Sequence, residues 1–206
     1  MPEIKLSYFN GAGRAEAVRV AFALGGVPFH DERLQFPEIM ARKAAGELPL
    51  GAVPTLTVDG VVMAQTASML RYAAHLGAAW LYPSDPFKAF VVDSVIDTLN
   101  DTLSQAMAPS YRERDAEKRL AMRAEVAAGP LKQALGYIET LAAKFEGPFL
   151  TGSTMSIADI VVANQVLGIR SGYLDGLTNE HLAPFERVAR LTDAYLAHPK
   201  IAALKK

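Results

Sequence analysis

The chain has 206 residues, half of them hydrophobic and 21% charged, with a formal net charge of −1. This suits one or two globular domains with a sizeable core, and the charge balance shows no basic excess for nucleic acid or an anionic membrane. With zero cysteines, disulfides, thiolate metal sites and cysteine catalysis are excluded. The four histidines, His30, His75, His181 and His198, show no metal-ligand spacing, so no metal is expected. No run of about eighteen apolar residues is present. The opening MPEIKLSY lacks a charged segment followed by a long apolar one. A cytoplasmic protein is expected.

Along the chain, Glu3–Tyr8 alternates as a strand, and Arg14–Leu24 carries Ala17, Val18, Ala21, Phe22 and Leu24 at helical spacing. Pro28–Arg33 reads as a second strand and Phe36–Leu50 as irregular or partly helical. Thr55–Val58 and Val61–Ala64 flank Asp59-Gly60, the signature of a hairpin. Thr66–Leu76 reads as a helix. Trp80–Pro86, with two prolines and a polar turn, is the best linker. Thereafter the pattern is helical: Phe87–Met107, Asp115–Ala128 and Leu131–Phe145 split by Gly129-Pro130, then Ser156–Ile169 and Pro184–Ala197. The expected organisation is an α/β domain over 1–79, a linker over 80–86 and an all-helical domain over 87–206.

Four stretches could carry chemistry. In KLSYFNGAGRAEAVR, a strand, two glycines and a helix start suggest a phosphate cradle. A dinucleotide fingerprint would need glycine where Glu16 stands, and the P-loop lysine is missing too. Gly11 and Gly13 are therefore turn residues. In GAVPTL, Pro54 opens a strand, where a missing N–H is tolerated. The Val53-Pro54 bond is either an ordinary loop bond or a cis bend that frees the Val53 backbone for an extended ligand. In AQTAS, Thr66 stands where an N-cap belongs, and the same helix start offers N–H groups to a carboxylate. In MSIADI, Ser156 and Asp159 have the spacing of a capping box, with Met155 and Ile160 as its hydrophobic staple.

Taken together, the whole chain resembles a cytosolic glutathione S-transferase of the tyrosine type, most like the sigma class. KLSYFNGAGRAEAVR, VPTLTVDGVVMAQTASMLRYAA and TGSTMSIADIVVA are similar to three family segments in the right order and spacing. The resemblance implies a thioredoxin-like N-terminal domain and an all-α C-terminal domain, arranged as a homodimer. It implies glutathione as co-substrate, a small hydrophobic electrophile and a role in detoxification. Tyr8 takes the position of the tyrosine that hydrogen-bonds the glutathione sulfur, with Arg14 beside it. Val53, before Pro54, matches the residue whose backbone pairs with the cysteinyl unit. Gln65 and Thr66 match the pair that holds the γ-glutamyl carboxylate. Asp101 matches an acid reaching the γ-glutamyl amine across the dimer, with Asn100 one register away. Phe9, Gly13, Leu103, Met107 and Ala108 are the expected electrophile pocket, although Leu103 and Met107 also read as plain core.

The chemistry suits these roles. A thiol with a pKa of about 8.5 is mostly protonated at neutral pH, and the thiolate is the nucleophile. A phenol donating to sulfur, and a nearby cation, both favour the charged form. Ser7 is the rival donor, but strand alternation points it to the face opposite Tyr8. The sequence also departs from the family. Phe36 stands where a tryptophan is frequent, Ala52 where a glutamine or lysine is, and Ala12 where an arginine is. Lys43, in preference to Arg42, is the expected partner of the glycyl carboxylate. These losses leave room for another low-molecular-weight thiol. The rival class is a non-catalytic carrier or structural protein that kept the fold.

Overall fold

The structure, a computed structural model, describes residues 1–204. Two compact units divide between Tyr82 and Pro83. In the first, β1 (Ile4–Phe9), α1 (Glu16–Gly25), β2 (His30–Leu34), α2 (Phe36–Ala44), β3 (Thr55–Val58), β4 (Val61–Met63) and α3 (Thr66–Gly77) follow in order. The sheet order is β2-β1-β3-β4, with β1 parallel to β2 and the other pairs antiparallel. This is the expected α/β, thioredoxin-like arrangement.

Side-chain alternation on β2 sets which helix covers which face. Asp31 binds Arg19 of α1, with Nε to Oδ1 at 3.0 Å. The next residue, Glu32, points the other way and takes both ends of the Arg42 guanidinium of α2, at 2.7 and 2.9 Å. On the α2 face Leu34, Ile39 and Leu48 form an apolar cluster with Val53 packed on it. The segment 36–50, expected to be irregular or partly helical, holds a nine-residue helix. Its start is secured by Glu38, which accepts the Gln35 N–H at 2.6 Å. The hairpin turn is as expected: Asp59 and Gly60 both have positive φ, as a two-residue turn of this kind requires.

Helices α1 and α3 approach so closely that two glycines are obligatory. A Cβ on Gly77 would stand 2.7 Å from the Gly25 carbonyl oxygen, and one on Gly25 would stand 2.9 Å from the Gly77 carbonyl carbon. Ala79–Leu81 form a 3-10 turn within the first unit, and Leu81 is fully buried.

The second unit is helical: α4 (Pro86–Thr98), α5 (Gln105–Met107), α6 (Ala116–Val126), α7 (Lys132–Ala142), α8 (Ile157–Arg170), α9 (Glu186–Ala197) and α10 (Pro199–Leu204). Asp85 caps α4 by accepting the Lys88 N–H at 2.8 Å, with Pro86 in the first turn. A π-helical stretch, Leu99–Ser104, joins α4 to α5, so the expected long helix is one rod with a widened middle.

The expected break at Gly129-Pro130 is overturned. Ala127–Leu131 is a π-helical turn that carries α6 into α7. A register shift in the hydrogen-bond ladder lets a helix pass a proline that has no N–H to give. The terminal helix α10 was not anticipated.

The capping box forms at α8. The Ser156 hydroxyl and N–H both reach Asp159 Oδ2, at 2.6 and 2.7 Å, and the Leu150 N–H reaches Oδ1 at 2.7 Å. Burial pushes the Asp159 carboxyl up to about 6, against those donors. Met155 and Ile160 are both buried beside the box. In the first unit, Gly77→Ala forces α1 and α3 apart. We expect a loss of about 1–3 kcal/mol in urea unfolding, and an unchanged midpoint would refute the close-contact account.

Candidate functional site

Strand registers bring the chemistry-bearing segments to one end of the sheet. Phe9 pairs with Leu34, placing the start of α2 beside the end of β1. Ser7 pairs with Thr55, so the Val53-Pro54 bond lies beside Tyr8. Leu56 pairs with Met63, so Gln65 and Thr66 follow at that same end.

Tyr8 is held on three sides. Its phenol oxygen accepts the Arg14 N–H at 3.2 Å. Phe9 meets its ring edge-to-face at 5.3 Å. The Arg19 guanidinium lies over the ring, 5.8 Å from its centroid. Gly13 has φ +43°, and a Cβ there would stand 2.6 Å from the Tyr8 oxygen. By contrast, Gly11 has nothing within 4 Å of an added Cβ. Only one of the two glycines is therefore demanded by the phenol. Because the oxygen accepts a backbone N–H, its own proton remains available to donate outward. The Arg14 side chain is exposed.

Ser7 is 1% exposed and donates its hydroxyl to Glu32 at 2.6 Å, on the face away from Tyr8. Glu32 also has Lys5 at 3.8 Å. The Arg42 hydrogen bonds, with smaller help from Ser7 and Lys5, hold the Glu32 carboxyl down to about 2. Arg42 is thus committed inside the unit. Lys43, one residue on, is exposed and passes against the loop before β3: its Cε would lie 3.4 Å from a Cβ on Gly51. Ala52 is exposed on that loop, and Phe36 is 63% exposed at the head of α2.

The Val53-Pro54 bond is cis. Among the described residues, none hydrogen-bonds the Val53 backbone. At α3 one expectation is corrected. Thr66 is the first helical residue, and Gln65 is the N-cap, with no side-chain capping bond. Since the helix begins one residue earlier than a threonine cap requires, its first N–H groups are left open. Gln65 also sits at φ +80°, a conformation rare for a residue with a Cβ. Nothing in the local sequence announces it.

In the helical unit Leu103 and Met107 are each 1% exposed, interior residues of the rod, while Ala108 is partly exposed. Asp101 is exposed within the π-helical stretch, with Gln105 Nε2 at 3.5 Å. Among the described residues no cluster of His, Asp or Glu could hold a metal ion, and no helix is long and apolar enough to cross a membrane.

Two substitutions test this geometry. Gly13→Ala combines a left-handed backbone with a clash on the phenol. It should cost about 1–2 kcal/mol and change the near-ultraviolet tyrosine signal, whereas Gly11→Ala should do neither. Glu32, 19% exposed, titrates at about 2 in the fold against 4.5 unfolded. Its stabilisation is complete above about pH 4.5 and is lost as pH falls through about 2. Glu32→Gln should therefore cost on the order of 3 kcal/mol at neutral pH and flatten the acid limb of the stability curve. An unchanged acid limb would show that Arg42 and Ser7 do not hold the carboxylate.

Comparison with known proteins adds the following. Residues 100–206 match the family described as Glutathione S-transferase, C-terminal domain. Glutathione S-transferase 1 of Ascaris suum is 34% identical, with 81% of this chain and 80% of that protein covered. S-crystallin SL11 of Nototodarus sloanii is 30% identical over 100% of this chain and 97% of its own. The solved prostaglandin synthase D of Nilaparvata lugens superposes with a TM-score of 0.83 at 26% identity, covering 100% of this chain and 98% of its own.

Proposed function

The chain belongs to the glutathione S-transferase family, and we propose that it binds glutathione at the sheet end carrying Tyr8, activates the thiol as a thiolate and delivers it to small hydrophobic electrophiles. The observation that carries this reading is the Tyr8 phenol, whose oxygen is steadied by the Arg14 N–H so that its O–H is free to donate. A donor to sulfur favours the thiolate, and each unit of lowered thiol pKa corresponds to about 1.36 kcal/mol. The Arg14 side chain adds a cation at the same turn.

The other contacts follow the same logic. The free Val53 backbone beside cis-Pro54 pairs with the cysteinyl unit as a short strand would. The open N-terminus of α3, with Gln65 and Thr66, takes the γ-glutamyl carboxylate. Lys43 takes the glycyl carboxylate, since Arg42 is spent on Glu32, and Phe36 covers that end. Ala52 gives no side-chain contact of its own, so another thiol of similar shape remains admissible. In the first unit Phe9 and Gly13 offer surface to the electrophile; in the second unit Ala108 is partly exposed, while Leu103 and Met107 are interior. Conjugation, isomerisation and peroxide reduction all begin from the same thiolate. Asp101 serves the γ-glutamyl amine of a second copy in a cytoplasmic homodimer. A solved relative 24% identical to this chain is described as monomeric, so light scattering decides that part.

A second reading has one observation in its favour. A relative spanning the whole chain is named a crystallin, not a transferase, which suits a structural protein or carrier. Glutathione-affinity retention together with turnover of an aryl halide separates the two. We expect retention and turnover. Tyr8→Phe should lower turnover by roughly tenfold or more and move the rate–pH profile to higher pH. A retained protein with no turnover would favour the carrier. Unchanged turnover and an unchanged profile in Tyr8→Phe would remove Tyr8 from the mechanism.

A further inference from the structure

Arg19 closes the stretch KLSYFNGAGRAEAVR with no role assigned to it, yet it contacts the turn, β2 and the Tyr8 ring. Its side chain is 8% exposed. Nη1 donates to the carbonyls of Gly11 and Ala12, at 2.8 and 3.2 Å, and to Glu16 Oε2 at 3.2 Å. Nε donates to Asp31 Oδ1 at 3.0 Å. The guanidinium face lies over the Tyr8 ring. Nη2 is buried without a partner among the described residues. A buried donor left unmade is costly, and a methionine of similar length would avoid the cost. Its presence here indicates that the fork and the charge are both in use.

Each contact bears on the phenol. The Gly11 and Ala12 carbonyls belong to the turn that continues into Gly13 and then Arg14, whose N–H reaches the Tyr8 oxygen. Fixing those carbonyls fixes the donor. The cation over the ring draws on its electron density and favours the orientation in which the ring faces it. Asp31 on β2 and Glu16 on α1 balance Arg19 from two sides. Arg33 of β2 in turn holds Asp31, at 2.6 Å, and reaches the Gly11 carbonyl at 3.5 Å. Arg14 is the remaining charge at the turn, and its side chain is exposed.

We propose that Arg19 is a positioning residue for thiol activation: its guanidinium fork clamps the 11–12 turn while its face orients the Tyr8 ring, so that the phenol proton is aimed at the sulfur. This rests on the function proposed above. Arg19 does not touch the thiol and acts only through Tyr8 and the turn.

The test compares wild type, Arg19→Met and Arg19→Lys. Two signals are read: the pH midpoint of the ultraviolet thiolate absorbance of bound glutathione, and the NMR signal of carbon-13-labelled Tyr8 in the protein without glutathione. Arg19→Met should raise the thiolate midpoint by about one unit, a tenfold fall in the thiolate-to-thiol ratio at any given pH, while the KM for glutathione changes by less than about threefold. Its Tyr8 ring signal should shift before any ligand is added. Arg19→Lys keeps a cation but not the fork, so its midpoint should rise by roughly half as much. A folded Arg19→Met with an unmoved midpoint overturns the proposal. So does a variant that loses only stability or glutathione affinity. If Arg19→Met does not fold, an unmoved midpoint in Arg19→Lys overturns it instead. Should wild type fail to bind glutathione, the function proposed above fails first. The ligand-free Tyr8 signal then still decides whether Arg19 orients the ring.

Discussion

The corner at the end of β1 depends on a space that only glycine leaves. The turn after the strand passes so close to Tyr8 that a Cβ on Gly13 would stand 2.6 Å from the phenol oxygen. That proximity lets the Arg14 N–H reach the oxygen from the turn itself. A phenol pinned in this way loses little freedom when it meets a ligand, because its orientation is already set. Gly11, two residues earlier, has no such constraint, so the glycine pair is less uniform than it looks in sequence.

The second constraint is the alternation on β2. Two adjacent carboxylates, Asp31 and Glu32, point to opposite faces, and each captures an arginine from a different helix. Arg19 brings α1 and the first turn to the sheet, and Arg42 brings α2. A one-residue slip of β2 would turn both carboxylates to the opposite faces and take Leu34 out of its apolar cluster. The same division assigns the neighbouring cations. With Arg42 held inside the unit, Lys43 is the cation left facing the loop before β3.

Most of the fold was legible because its signals are local. The hairpin at Asp59-Gly60, the capping box at Ser156 and Asp159, and the helical spacing after Phe87 each depend on residues a few positions apart. Errors arose where local rules yield to the surrounding structure. Gly129-Pro130 reads as a helix break, yet a π-helical turn absorbs the proline between two helices that packing keeps in line. The segment after Phe36 has weak periodicity, but Leu34, Ile39 and Leu48 have a sheet face to bury against. Thr66 has the right chemistry for a cap, but the helix begins one residue too early for it.

The sequence by itself determined the residue types available to the candidate site: a tyrosine at a strand end, a proline before a strand, a glutamine and threonine at a helix start, and no cysteine to compete with a ligand's thiol. It also supported the family resemblance, because the three family-like segments kept their order and spacing. Only the tertiary structure decided which of these residues are engaged and which are free. Ser7 and Arg42 were candidates in sequence and are both consumed by Glu32. The hold of Arg19 on Asp31 and on the Tyr8 ring, and the positive φ of Gln65, carry no local signal. The reason is physical: a hydrogen bond or ring contact is settled by partners distant in sequence, such as residues 19 and 31, whose distances exist only once the sheet and its helices have formed.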